Sequence, residues 1–103
     1  MDGGGLVISA QQIVTAWRRG DTIYLAEPGK AELRLGIGKD VALAVSGNQP
    51  YPIWSNDTRI QLWHDGMLET LAESGAFPTL LGLPGGLMAA WEHRGGIVTR
   101  RMR

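Results

Sequence analysis

Apolar residues fall along this chain in short runs broken by turn signals, and the runs follow two different periods. Leu6-Val7-Ile8 is a brief apolar run that predicts a first strand. Ser9 then stands as a helix N-cap, with Gln12 at the reciprocal capping-box position. Ile13, Val14 and Trp17 form an i, i+1, i+4 stripe. Arg18-Arg19 fall in a last turn, where cations are favoured, and Gly20 is the stop. The spacing predicts a helix over 9–19. Thr22, Ile23 and Tyr24 mark a strand over 22–26, and Glu27-Pro28-Gly29-Lys30 has the residues of a type II turn. Leu33, Leu35 and Ile37 alternate with Arg34 and Gly36, the two-residue period of a half-buried strand. Gly38-Lys39-Asp40 turns into the apolar run 41–45. Three strands joined by short turns predict an antiparallel meander.

Past the Ser46-Gly47-Asn48 turn, Pro50-Tyr51-Pro52-Ile53-Trp54 reads as an extended segment. Ser55-Asn56-Asp57 then announces a second helix. It runs to about residue 64 and either breaks at Asp65-Gly66 or continues through 67–73, and Ile60, Trp63, Met67 and Leu71 on one stripe favour continuation. Gly66 inside it costs roughly 1 kcal/mol against Ala, and Gly75 ends it. Pro78 opens a short helix over 79–83. Residues 84–86 form a loop, and 87–93 and 97–101 flank Arg94-Gly95-Gly96 as a terminal hairpin. The predicted order is strand, helix, three strands, helix, short helix, two strands. This is a single α+β domain over 1–103, a mostly antiparallel sheet of about five or six short strands packed by two main helices. No repeat of fixed period is read.

Composition narrows the functional classes. The chain has 103 residues, 44% hydrophobic and 19% charged, which describes one ordinary globular domain rather than a disordered segment. Ten basic and ten acidic side chains cancel, so long-range steering toward nucleic acid or an anionic membrane is not indicated. The absence of cysteine excludes disulfides, thiolate metal sites and cysteine nucleophiles. No signal peptide is read at the start, and no apolar run approaches the ~20 residues of a membrane span. A cytoplasmic location is the expectation. The 15 glycines, single or paired between apolar runs, punctuate many short elements.

The chemistry-bearing residues are few. His64-Asp65 is the first place for acid–base work, but neighbours on a helix point about 100° apart. His64 and His93 with Asp57, Asp65 and Glu92 match no metal-ligand spacing. Gly36-Ile37-Gly38-Lys39 lacks the phosphate-loop spacing, and Asp40 follows the lysine. No serine stands in a Gly-x-Ser-x-Gly elbow, and Ser55 is accounted for as a cap. Arg94, Arg100, Arg101 and Arg103 give a basic C-terminal stretch that suits phosphate or an acidic protein surface, or discourages edge pairing of a strand. Of the four tryptophans, Trp17 and Trp63 fall on apolar stripes, whereas Trp54 and Trp91 sit where aromatic anchors of interfaces are found.

Pro52-Ile53-Trp54-Ser55 followed by Leu62-Trp63 resembles the strand–junction–helix of the N-terminal domain of SseB-family bacterial proteins. Residues 16–25 and 80–87 are similar to other parts of that domain. The added run Leu6–Ile8 and the lack of an Asn-Pro-Gly turn near the end depart from it. The resemblance implies a small interaction domain in secretion or bacterial conflict and supplies no catalytic residues.

These readings converge on a non-enzymatic protein-binding module, an accessory, immunity or anti-defence factor. Its contact surface is Tyr51, Trp54, Trp91, Arg94, Arg100 and Arg101, and its partner is another protein or a second copy of itself. No cofactor or metal and no membrane are expected. The alternatives are a small-molecule or nucleotide binder with a pocket near Gly85-Gly86, an enzyme using His64 with Asp65 or Asp57, and nucleic-acid binding through the C-terminal arginines.

Overall fold

A computed structural model describes residues 4–9 and 11–102. Eleven strands and no helix occur among the described residues: β1 (Gly5–Ser9), β2 (Gln12–Arg19), β3 (Thr22–Ala26), β4 (Leu33–Ile37), β5 (Lys39–Ser46), β6 (Gln49–Asn56), β7 (Arg59–His64), β8 (Met67–Ala72), β9 (Ala76–Leu83), β10 (Gly86–His93) and β11 (Gly96–Met102). They form three antiparallel meanders in chain order, β1-β2-β3-β4, β5-β6-β7-β8 and β9-β10-β11. The α+β expectation is therefore corrected to all-β. The strands foreseen over 22–26 and 33–37 and the last hairpin stand where the pattern placed them.

Each predicted helix has become strands for an identifiable reason. Ser9 ends β1 and residues 12–19 form β2, in which Val14 and Ala16 point to one face and Thr15 and Trp17 to the other. Both faces of the sheet carry apolar residues, which blurs the alternation into an apparent helical stripe. The long second helix is instead two strands joined at Asp65-Gly66. Both turn residues have positive φ, 52° and 72°, the conformation of a type I′ hairpin for which Asp-Gly is a preferred pair. The supposed short helix over 79–83 lies within β9. The expected meander also breaks at Gly38, because β4 pairs β3 and β5 pairs β6, in different sheets.

A period does exist. Trp17, Trp54 and Trp91 recur at a constant interval of 37 residues, as do Leu6, Leu43 and Leu80, and Ile23, Ile60 and Ile97. Gly29 and Gly66, and Gly38 and Gly75, keep the same interval. Each of the first two 37-residue units is one four-stranded sheet, and the three-stranded sheet β9-β10-β11 follows at the same interval. First strands lie side by side, β1 against β5 and β5 against β9, while the second strands pack on the first strand of the next sheet. This is the blade arrangement of a β-propeller, in which consecutive meanders stack face to face around their innermost strands. We call the sheets blades one, two and three.

Two apolar layers hold the fan. Val14, Ala16, Ile23, Leu25 and Leu35 of blade one enclose Val41 and Trp54 of blade two. Tyr51, Ile53, Ile60 and Leu62 of blade two enclose Leu87, Ala89, Trp91 and Met102 of blade three. Each blade thus has a near face, which carries the repeated tryptophan toward the preceding blade, and a far face, which carries the repeated isoleucine toward the next. Inner strands approach closely. A Cβ on Gly5 would strike Leu43, and one on Gly82 would strike the backbone of Val45, so these positions need glycine.

Candidate functional site

The joints between blades are built twice in the same way. Gly38 N–H donates to the Asp21 carbonyl and Gly75 N–H to the Thr58 carbonyl, both at 2.8 Å, and these donors and acceptors are themselves 37 residues apart. A Cβ at Gly38 would collide with the Trp54 indole, and one at Gly75 would lie 2.6 Å from Trp91 Cδ1. The indole N–H of Trp54 donates to the Ile37 carbonyl at 3.1 Å, which satisfies the polar atom of a buried ring. Opposite each tryptophan the ladder has a bulge, between Lys39 and Ala42 and between Ala76 and Thr79. Asp40 and Phe77, again 37 apart, take left-handed φ values of 54° and 52° there.

A surface cleft opens beside each joint. The one between blades one and two, about 240 Å³, is lined by Arg18, Asp21, Lys39, Ser55 and Asp57 among others. Its counterpart between blades two and three, about 260 Å³, is lined by Thr58, Ser74, Glu92, His93 and Arg94. The backbone frame is shared while the side chains differ, so the two clefts do not offer one repeated chemistry.

A third cleft, about 250 Å³, lies beside Tyr51, Trp63, His64 and Asp65. His64 is buried. Its Nδ1 lies 3.2 Å from Asp65 Oδ2 and its Nε2 2.7 Å from Glu69 Oε1. Both ring nitrogens are engaged by carboxylates, which leaves neither directed at a reactant and makes the imidazole a clamp on the β7–β8 hairpin. Glu69 reaches on to Arg100 Nη2 at 3.8 Å, and Arg100 Nη1 donates to the Leu71 carbonyl at 3.4 Å. This chain of contacts ties the outer strand of blade two to blade three. Asp57 stands in the β6–β7 turn, away from His64. Among the described residues no group of three or more His, Cys, Asp or Glu could hold a metal ion.

The six residues expected to form one surface are divided by the fold. Tyr51, Trp54 and Trp91 are buried between blades, with Trp54 fully enclosed. They are packing residues of the joints rather than exposed anchors. Arg100 faces blade two through the contacts just described. Arg94 sits in the β10–β11 turn with φ 52° beside Gly95, and Arg101 is exposed on β11. Gly85 and Gly86 line none of these three clefts. Pro84-Gly85 is a tight turn, and Gly86 is buried at the start of β10.

The surface features that were not foreseen lie on the two end blades. On blade one, the Trp17 and Tyr24 rings stack at 5.9 Å, and the Arg19 guanidinium lies 4.7 Å from the Tyr24 centroid. Arg19 is also held by a bidentate pair with Glu32, at 2.9 and 3.2 Å. That hydrogen bonding and charge raise its pKa above the usual value. On blade three, β11 is exposed from Gly96 to Arg101. It forms the sheet edge where blades one and two have β4 and β8. The 37-residue interval is the signal that would have located these features. No protein-family model, curated protein or solved structure matches the chain.

Proposed function

We propose that this chain is a non-enzymatic protein-binding module that takes an extended, acidic segment of a partner onto the open edge of blade three. The observation that carries the reading is β11, an edge strand exposed from Gly96 to Arg101 with no strand paired on its outer side among the described residues. Such an edge presents backbone N–H and C=O groups that an incoming strand can satisfy, while its side chains select the sequence. Arg94 at the turn and Arg101 on the strand give that edge positive charge, which favours carboxylate-bearing segments. The engagement of both His64 ring nitrogens supports a binding role over acid–base catalysis. No helix of the described residues is long and apolar enough to cross a membrane, and a cytoplasmic setting is part of the proposal.

A synthetic peptide of alternating Glu and Val tests the reading. Added to the chain, it should slow amide hydrogen exchange along β11, and Arg101→Glu should abolish the effect. Unchanged exchange in β11 at millimolar peptide would overturn the proposal.

A further inference from the structure

The repeat defines what should cover each face of a blade, and the two outermost faces lack it. Ile23 and Ile60 are 0% exposed because the next blade lies over them, whereas their counterpart on the far face of blade three, Ile97, is 69% exposed. Leu81 on that face is likewise exposed, although its counterpart Ala44 is buried. The near face of blade one shows the complementary deficit. Ile13 is 56% exposed where its counterpart Leu87 is 1% exposed, and Leu6 is exposed as well. Trp17 is half-buried, although Trp54 and Trp91 at the same position are buried. Isolated exposed apolar residues need no explanation, but two apolar faces at the two ends of one fan do.

The joints between blades one and two and between blades two and three demonstrate twice how a far face packs on a near face. Among the described residues, one face of each kind is left uncovered. We propose that the far face of blade three docks on the near face of blade one of a second copy, so that two chains close a six-bladed ring. The contact is head-to-tail, and such contacts end in a closed ring when the rotation per subunit closes. Six blades fall inside the range of roughly four to eight that propellers adopt. In the ring, Ile97 enters the layer that Ile23 and Ile60 occupy in their own joints, and Trp17 is covered as Trp54 and Trp91 are. The ring covers the face of β11 that carries Ile97 and Arg101 but leaves the outer backbone edge of the strand unpaired, so this inference does not rest on the peptide-binding reading.

Native mass spectrometry and light scattering on the 103-residue chain test the proposal. The expected result at high micromolar concentration is a species of twice the 11.2 kDa chain mass. Ile97→Asp places a charge at an already exposed position, so it should leave the far-UV β signature intact. It enters the ring at both contacts and should weaken association at least ~100-fold. A wild-type chain that stays at the single-chain mass would overturn the proposal. So would a dimer unaffected by Ile97→Asp, or a ladder of open oligomers growing with concentration.

Discussion

Trp54 is enclosed because a glycine 16 residues before it in the chain leaves room for the indole ring. Gly38 serves Trp54 as Gly75 serves Trp91, and neither glycine has left-handed φ, so the need is for space rather than for conformation. Gly75→Ala and Gly38→Ala should each lower stability by about 1–3 kcal/mol, the usual cost of overpacking, read as a reduced urea midpoint at unchanged slope. Phe77 presents the opposite case. It is exposed, yet it holds φ 52° in the bulge before Trp91. Asn adopts that region at lower cost than a bulky side chain. Phe77→Asn should therefore raise stability by about 1 kcal/mol. The equivalent bulge already uses a residue suited to it, Asp40.

At the scale of the elements, the β7–β8 hairpin is secured by its turn and by His64. Glu69→Ala removes the partner of His64 Nε2 and the contact to Arg100 together. The loss should be about 1 kcal/mol, reduced by the partial exposure of Glu69. A double-mutant cycle with Arg100→Ala should be non-additive, since the two residues share one network. The same scale explains what was legible beforehand. Strands β3 and β4 could be read directly, because Thr22, Ile23 and Tyr24 favour extended backbone and Leu33, Leu35 and Ile37 keep a strict alternation. Strand β2 could not. Lying beside blade two with apolar residues on both faces, it offers Ile13, Val14 and Trp17 together, and a two-residue period with both faces filled mimics a helical stripe. Ser9, taken for a cap, instead donates its hydroxyl to the Asn48 carbonyl at 2.7 Å, across to blade two. Asp65-Gly66 carried a hairpin signal that the stripe of Ile60, Trp63, Met67 and Leu71 overrode. In the structure Ile60 is buried and Met67 exposed, so that stripe does not form one face.

For the whole molecule, the sequence contained the organisation in a form that local windows do not detect. The interval from Trp17 to Trp54 to Trp91 spans four strands, longer than any window used to judge one element. Reading Trp54 and Trp91 as exposed anchors follows from treating them singly, whereas the repeat makes them the same plug in successive joints. The open surfaces follow from the repeat too. Ile97 and Trp17 are exposed or half-exposed because they occupy joint positions at the two ends of the fan. The residues proposed for contact thereby move from the buried aromatic positions to the end faces and to β11.

The claim on which the rest depends is that Gly38 and Gly75 seat the tryptophans of successive, equivalent blades. Proton NMR of the chain tests it most directly. The Hα protons of both glycines should be displaced from their random-coil shifts by the ring currents of Trp54 and Trp91 and should show nuclear Overhauser contacts to those indoles. Strand β2 should give strand-type chemical shifts throughout. Helical shifts over residues 9–19, with neither glycine in contact with an indole, would contradict it.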